Sequence, residues 1–412
     1  MLAAQLKSLT KPQRSAIWAS YLGWTLDAFD FFLMVFMLSA IAKEFGTDVK
    51  SVSYGLFLTL AARPFGAFFF GWLAERFGRR PVLMVDIILF SIFELASGFA
   101  PSLLSLFVLR VCFGIAMGGE WGIGASLAME TIPPKLRGPV SGLLQSGYPS
   151  GYFLASLVYF LLFDHIGWRG LFMVGVAPAL LVLLIRMHVE ESPVFEARRE
   201  RIRSGPWWEP VAELLRSWKI ALYLVVLMTA FNFFSHGTQD LYPTFLQKQH
   251  HFSTHLTGLL AAVMNVGAIV GGIGFGIWSE RIGRKRAIIL ASLLALPVIP
   301  LWAFAATPLL LGLGAFLIQV AVQGAWGIVP VHLNELSPPA ARALFPGFAY
   351  QLGNFIASWN SPLQASIAEG RHDDYGFALA LVAGVTAVVL VIWTAIGPER
   401  RDVDFVKEAR TA

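Results

Sequence analysis

The chain has 412 residues, of which 56% are hydrophobic and only 14% are charged, and its mean hydropathy is +0.65. Soluble domains carry about 25% charged residues, so the composition excludes a soluble globular protein and indicates an integral membrane protein. The single cysteine, Cys112, excludes an intrachain disulfide and a cysteine-based zinc site, and we expect it to be a small core residue. No metal site and no cofactor are expected.

Runs of apolar residues long enough to cross a bilayer as helices, which takes about 20 residues each, occur twelve times. Spans 1 to 12 are predicted at residues 17–41, 52–73, 82–100, 103–129, 139–163, 168–188, 219–246, 256–279, 287–305, 308–333, 344–368 and 376–396. No apolar region precedes Trp18, so we expect span 1 itself to direct insertion, without a cleavable signal peptide.

The predicted fold is all-α, with twelve transmembrane helices in two halves. A polar segment separates the first six spans from the last six. We therefore predict an amino-terminal six-helix bundle (1–188), a cytoplasmic central loop (189–218) and a carboxy-terminal six-helix bundle with a short tail (219–412). Trp207, Trp208 and Trp218 indicate that the central loop lies at the inner membrane interface.

Basic residues are distributed unevenly between the two sides of this arrangement. The termini and the links after even-numbered spans hold 24 of the 31 lysines and arginines, whereas the links after odd-numbered spans hold five. Because basic loops stay in the cytoplasm, we predict a multi-pass protein of the cell (inner) membrane with both termini cytoplasmic. The net charge of +5 therefore reflects topology, and no nucleic-acid partner is expected.

Three segments of the first half recur in the second half at an offset of 205 residues. GWLAERFGRR, GEWG and ETIPPKLRG begin at Gly71, Gly119 and Glu130, and GIWSERIGRK, GAWG and ELSPPAARA begin at Gly276, Gly324 and Glu335. Three matches in one register indicate a parallel repeat of two six-helix halves with the same orientation.

The first repeated motif combines glycines, which permit tight turns and close helix approach, with an acidic and several basic residues. We predict a cytoplasmic gating latch that locks the two halves in one state and releases them in the other. The alternative is that these charges only set the topology. The predicted latch residues are Gly71, Glu75, Arg76, Gly78, Arg79 and Arg80 in the first half and Glu280, Arg281, Gly283, Arg284 and Lys285 in the second.

This duplicated motif in a six-plus-six arrangement resembles the major facilitator superfamily over the whole chain. The resemblance implies two pseudo-symmetric six-helix bundles, a central cavity between them, and rocking between outward-open and inward-open states.

Ionisable residues inside spans are candidates for function because a charge in lipid is costly. Arg63, in LTLAARPFGAFFFG of span 2, has no residue in its own span that neutralises it. A guanidinium stays charged and clamps a carboxylate through two parallel hydrogen bonds. We predict that Arg63 anchors an anionic substrate, with a structural ion pair as the alternative.

Asp27 and Asp30 are three residues apart in GWTLDAFDFF of span 1 and so share a helix face. Either they carry a proton, or one of them pairs with Arg63 or Arg110. In span 4, RVCFGIAMGGEWG contains Arg110 and the deeper Glu120. The superfamily often has an arginine in this R-x-x-x-G-x-x-x-G setting that is linked to proton coupling, so coupling and helix packing are both kept open for these two residues.

Residues 232–244, NFFSHGTQDLYPT, place many polar side chains in the otherwise apolar span 7. On a helix, Asn232, His236, Asp240 and Thr244 form one stripe, which must line a cavity or pack between helices. His236 and Asp240 are one turn apart. A neighbouring carboxylate favours the protonated imidazole and burial opposes it, so this pair is predicted to exchange protons in the physiological range.

Gln351 and Asn354 of span 11, in FAYQLGNFIASWN, are three residues apart and face the same way. They either contact a substrate oxygen or form an interhelical hydrogen bond.

The pattern N-x-x-S-H-x-T-Q-D-x-x-x-T of span 7 resembles the signature of the fungal-type lactate/pyruvate–proton permeases, within the sialate–proton symporter group of the superfamily. WTLDAFDFF and RPFGA resemble the same group. The resemblance implies that Asn232, His236, Gln239 and Asp240 bind substrate and couple protons, and that Arg63, Gln351 and Asn354 correspond to the family's substrate-binding residues.

We therefore predict a proton-coupled symporter of small monocarboxylates such as lactate or pyruvate. Arg63 would hold the carboxylate, Asn232, Gln239, Gln351 and Asn354 would orient it, and His236 with Asp240, helped by Asp27 or Asp30, would take the proton. The alternatives are a symporter of a larger acid, such as sialic acid or an aromatic acid, and a non-transporting membrane sensor. The chain has no metalloprotease, hydrolase, P-loop or dinucleotide motif, so no enzyme is expected, and we expect a monomer in the lipid bilayer.

Overall fold

A computed structural model describes residues 9–187 and 189–411, without the side chains of residues 49, 50, 177–179, 181–186, 254 and 411. The regular secondary structure of these residues is helical, with no strand. The first eight residues and the predicted bundle limits at 188 and 412 lie outside this part of the chain.

The helices of the first half follow the predicted spans. Spans 1 to 4 are Lys11–Glu44, Val49–Phe77, Arg79–Gly98 and the pair Leu103–Gly118 and Glu120–Thr131. Spans 5 and 6 consist of Arg137–Gln145 and Gly147–Met187, a helical stretch that is broken at Gly167, where φ is +61°. A residue without a Cβ adopts this φ readily, and the break separates span 5 from span 6.

The second half is built in the same way. Its spans 7 to 12 are Trp218–Gln239 with Tyr242–Lys248, Thr254–Ile282, Arg284–Phe304, Pro308–Trp326 with Val329–Leu336, Phe345–Ala357 with Asn360–Glu369, and Tyr375–Ile396. The central loop forms the helices Pro193–Ser204 and Glu209–Arg216, and the tail forms Phe405–Thr411. Trp207, Trp208 and Trp218 are exposed.

Ten helical segments of the described chain are long and apolar enough to cross a membrane. This number agrees with a twelve-helix fold, because Pro134–Val176 runs from span 5 into span 6 and because span 11 is divided into two short helices. Large apolar side chains cover the outside of the helices, as at Phe160, which is 80% exposed. Such a surface suits lipid rather than water. Cys112 is free and half-buried.

The two halves touch at the end of the molecule that carries Arg79 and Arg284, called here the basic end. Span 2 packs against span 11 there, and span 8 packs against the start of span 5. A Cβ on Gly71 would lie 2.8 Å from the Cα of Leu344, and one on Gly276 would lie 2.6 Å from the carbonyl oxygen of Gly138. These repeated glycines therefore allow the halves to approach closely and to close the basic end.

The second glycine of each motif makes a tight turn. Gly78 ends span 2 with φ +106°, and Gly283 ends span 8 with φ +96°. Residues with a Cβ rarely adopt these angles, so both turns depend on glycine. Glu191 accepts hydrogen bonds from the backbone N–H groups of Arg79 (3.0 Å) and Arg80 (3.1 Å) and so caps span 3. Burial raises the pKa of the Glu191 carboxyl.

Candidate functional site

A small cavity lies between the two halves, near the middle of the spans. It has a volume of about 40 Å³, and both halves supply its polar lining. We call it the inner cavity; its lining includes Trp24, Asp27, Arg63, Asn232, His236 and Asn354. An outer cavity of about 350 Å³ adjoins it on the side away from the basic end. Phe31, Leu60, Tyr148 and His236 line both.

Arg63 is positioned by close packing of spans 2 and 4. A Cβ on Gly118 would lie 2.2 Å from the carbonyl oxygen of Arg63, so glycine is required for this approach. The guanidinium donates a hydrogen bond to Asp27 Oδ1 of span 1 at 2.5 Å, and both side chains are buried. Asp27 therefore pairs with Arg63, which was one of the two partners predicted for the aspartates.

His236 and Asp240 form a hydrogen-bonded pair that joins span 7 to span 11. His236 Nδ1 lies 3.2 Å from Asp240 Oδ1, and His236 Nε2 lies 3.0 Å from Asn354 Oδ1. Ser361 Oγ donates to Asp240 Oδ2 at 2.8 Å. Both ring nitrogens face acceptor oxygens, and only an imidazolium can donate to both.

Asn232 and Gln239 of span 7 form hydrogen bonds within span 7 and to span 10. Asn232 lines the inner cavity and donates to the carbonyl of Met228 at 2.8 Å. Gln239 lines the outer cavity and donates to Ser235 Oγ and to Gln319 Oε1, each at 3.1 Å. Gln319 was not a sequence candidate. Its position one turn before Gln323, another amide of span 10, is a pattern that could have indicated it.

Four of the predicted substrate-binding and proton-coupling residues line neither cavity: Gln351, Asp30, Arg110 and Glu120. Gln351 is buried, and its amide atoms have no hydrogen-bond partner among the described residues, so Gln351 and Asn354 do not meet at one site. Glu120 is buried at the start of its helix.

Asp27 and Asp30, expected on one face, have different surroundings. Asp30 Oδ1 faces span 6, where a Cβ on Gly175 would lie 3.2 Å from it. Arg110 pairs with neither aspartate. It donates to Glu94 Oε2 at 2.7 Å and to Ser97 Oγ at 2.6 Å, and Glu94 had no assigned role in the sequence.

Aromatic residues close the inner cavity towards the basic end. The ring centroid of Tyr350 lies 4.6 Å from that of Trp121, 5.7 Å from that of Trp326 and 6.1 Å from that of Trp24. Trp121 and Trp326 occupy equivalent positions of the repeat, in GEWG and GAWG. The repeat indicated the register of the two halves, but nothing in its spacing predicted the aromatic cluster.

The latch motif forms equivalent buried ion-pair clusters in the two halves. Arg79 donates two hydrogen bonds to Glu130, each 3.1 Å, and its guanidinium lies 3.0 Å from Glu75 Oε2. The second cluster consists of Arg284 with Glu335, at 3.1 Å in two hydrogen bonds, and Glu280, at 2.8 Å. Glu130 and Glu335 were not assigned to the latch, although both begin a repeated segment of the sequence.

Each cluster also reaches the other half of the molecule. Glu75 Oε1 accepts a hydrogen bond from the backbone N–H of Ala343, at the start of span 11, at 2.5 Å. Glu280 Oε1 accepts one from Gly138, at the start of span 5, at 2.6 Å. The two acidic residues therefore join the halves where the basic end is closed.

The other basic residues predicted for the latch lie outside these two clusters. Arg76 donates to the carbonyls of Ile202 and Gly205 in the central loop, and Arg80 donates to Met187 O at 2.7 Å. Arg281 is exposed. Lys285 donates to the carbonyls of residues 395 and 397 at the end of span 12.

Comparison with known proteins gives consistent matches over the chain. The family model of the Major Facilitator Superfamily matches residues 20–359 and 225–410. A Saccharomyces cerevisiae carboxylic acid transporter protein homolog is 28% identical over 96% of this chain and 70% of its own length. The sialic acid transporter NanX of Escherichia coli is 28% identical over 95% of this chain and 96% of its own length.

Among solved structures, the proton:xylose symporter XylE bound to 6-bromo-6-deoxy-D-glucose superimposes with a TM-score of 0.79 at 19% identity. The match covers 96% of this chain and 98% of XylE. At this identity the likeness concerns the fold alone.

Proposed function

The chain belongs to the Major Facilitator Superfamily, and we propose that it is a proton-coupled symporter of small monocarboxylates of the lactate and pyruvate class. Its matches are transporters and not enzymes. The similarity to a carboxylic acid transporter homolog and to a sialic acid transporter supports an organic acid as substrate. We further propose that it acts as a monomer in the cell inner membrane, with the basic end and both termini in the cytoplasm.

The observation that carries this proposal is the ion pair between Arg63 and Asp27 beside the inner cavity. Asp27 occupies the guanidinium that a substrate carboxylate would use. A proton on Asp27 removes the competing charge, so the anion binds more tightly to the protonated carrier, and by linkage the proton binds more tightly to the loaded carrier. One proton and one monovalent anion together move no net charge across the membrane potential.

His236 and Asp240 would pass protons between the outer cavity and this site. His236 lines both cavities, and Asp240 lines the outer one. When the imidazolium of His236 loses one proton, only one of its two ring nitrogens can still donate a hydrogen bond. This loss would weaken the contact between span 7 and span 11. Asn232, Gln239 and Asn354 would orient the bound acid.

Transport of labelled lactate into proteoliposomes tests the proposal. An inward proton gradient at zero membrane potential should drive accumulation, and a protonophore should abolish it. Uptake that ignores the gradient would contradict proton coupling, and absence of uptake for every small monocarboxylate would contradict the substrate class.

A symporter of a larger organic acid is the second candidate, because the outer cavity of about 350 Å³ adjoins the inner one and would house the rest of a larger molecule. The match to a sialic acid transporter supports the same possibility. Competition of labelled lactate with sialic acid and benzoate separates the two candidates. If the substrate is a larger acid, that acid should inhibit the uptake of labelled lactate more strongly than unlabelled lactate does.

A further inference from the structure

Two polar side chains of the inner cavity have no role in the cycle described above. Trp24 of span 1 and Gln145 of span 5 line this cavity and are only 3% and 5% exposed. Trp24 Nε1 and Gln145 Oε1 have no hydrogen-bond partner within the described part of the chain. A buried polar atom without a partner is costly, so two such atoms in the wall of one cavity suggest a ligand that pairs with them.

Two more unpaired atoms belong to the same cavity. Arg63 Nε is a donor and Asp27 Oδ2 an acceptor, and neither has a hydrogen-bond partner among the described residues. Among the described residues, the side chains that line the cavity therefore carry two donors without a partner, on Trp24 and Arg63, and two such acceptors, on Gln145 and Asp27. A carboxylate has only acceptors and satisfies the donors. When Asp27 binds a proton, its O–H becomes a further donor to the substrate carboxylate. Gln145 Oε1 then remains as the acceptor that takes a hydrogen bond from the substrate.

We propose that the inner cavity selects 2-hydroxy carboxylates over 2-oxo carboxylates through Gln145. The substrate hydroxyl donates to Gln145 Oε1, while Trp24 and Arg63 donate to the carboxylate. This inference rests on the proposed function and narrows its substrate class. A 2-oxo acid of the same size leaves the Gln145 acceptor unpaired, and such a loss corresponds to roughly tenfold weaker binding.

Competition in proteoliposomes under an inward proton gradient tests this selection. Uptake of labelled lactate is measured against unlabelled lactate, pyruvate and 2-fluoropropionate, which resembles lactate in size but has no O–H donor. For the unmodified protein we expect pyruvate and 2-fluoropropionate to compete about tenfold more weakly than lactate. Gln145→Met, whose side chain has a similar length, should make the inhibition constants of the three acids nearly equal.

Trp24→Phe is the control because it keeps an aromatic ring against Tyr148 and Trp121 and removes the N–H donor together with the pyrrole part of the indole. It should weaken all three acids alike and leave their ratios unchanged. The ratios are measured in the same vesicles, so the amount of folded protein cancels. If the Gln145→Met variant does not insert into the membrane, the test rests on the comparison of lactate with 2-fluoropropionate in the unmodified protein.

Equal constants for the three acids in the unmodified protein, with uptake still driven by the gradient, overturn this inference and leave the proposed function intact. An unchanged preference for lactate in Gln145→Met also overturns it. A protein that takes up none of these acids overturns the proposed function and this inference together.

Discussion

Arg63 and Asp27 form an ion pair of 2.5 Å between spans 2 and 1, and both side chains are almost fully buried. The pair lies in the wall of the inner cavity, where Arg63 is the only guanidinium among the lining residues that the structure describes. An incoming carboxylate must compete with Asp27 for it. The consequences of this competition differ for the two partners.

For Arg63→Lys, we expect the KM for lactate to rise at least about tenfold, since an ammonium cannot form two parallel hydrogen bonds with a carboxylate. The positive charge that pairs with Asp27 is kept, so the protein should still reach the membrane. Lactate uptake as a function of concentration measures the effect. Normal uptake would remove Arg63 as the substrate anchor.

For Asp27→Asn, we expect gradient-driven accumulation of lactate to be lost while lactate counterflow continues. The neutral amide imitates a permanently protonated Asp27, so Arg63 stays available at every pH. The KM for counterflow should therefore lose its dependence on external pH. Continued accumulation against a lactate gradient would show that Asp27 is not the coupling carboxyl.

For Asp240→Asn, we expect gradient-driven uptake to fall at least about tenfold because His236 loses its charged partner and one strong hydrogen bond. Counterflow, which needs no net proton movement, should fall much less. Ser361→Ala is the control: it removes a neutral hydrogen bond to the other oxygen of Asp240 and should change uptake about twofold at most. Equal losses in both variants would indicate a packing role for the pair.

Sequence reasoning succeeded where one helix or the repeat held the information. Apolar runs predicted the spans, and the i, i+4 spacing of span 7 predicted that His236 and Asp240 meet, as they do at 3.2 Å. It could not choose between partners on other helices. The pairing of Asp27 with Arg63 was one of several alternatives, and Glu130 was not foreseen as the partner of Arg79, because no local spacing records how separate helices pack.

The rotation of each helix was equally inaccessible. Gln351 and Asn354 share a face by spacing, yet only Asn354 reaches the inner cavity. Aromatic residues posed a related difficulty. Trp121 and Tyr350 pack on each other between the halves, but tryptophan and tyrosine in a membrane span are also typical of lipid interfaces, so composition alone did not separate the two environments.

The latch geometry makes a prediction about the closed basic end. Glu75→Gln weakens the hydrogen bond from Ala343 by replacing a charged acceptor with a neutral one, at a cost of about 1 kcal/mol. The population open at the basic end should then rise roughly fivefold. Glu280→Gln should act similarly through Gly138, and the double variant should combine the effects, since the clusters share no residue.

Distances between spin labels at Phe77 and Ile396, exposed residues at the basic ends of spans 2 and 12, measure this opening in a Cys112→Ser background. Arg281→Gln is the control, because Arg281 is exposed and lies outside both clusters. Unchanged distance distributions in the Glu75 and Glu280 variants would assign the motif to topology alone.

The tail helix Phe405–Thr411 provides a second closure of the basic end. Phe405 is 1% exposed and lies between two arginines at equivalent positions of the repeat, with Arg137 3.5 Å and Arg342 3.9 Å from its ring centroid. Arg137 donates to Val403 O, and Arg342, whose pKa is lowered by burial, donates to Glu408. One aromatic ring thus connects the first half to the second.

Phe405→Ala should release this connection. Two buried cation–π contacts contribute about 0.5–2 kcal/mol each, so the population open at the basic end should rise about tenfold. The Phe77 and Ile396 labels report it, and Phe405→Tyr, which keeps the aromatic face, should leave the distances unchanged. If Phe405→Ala and Phe405→Tyr give the same distances as the unmodified protein, the tail does not hold the closed state, and the glutamate contacts of the latch suffice.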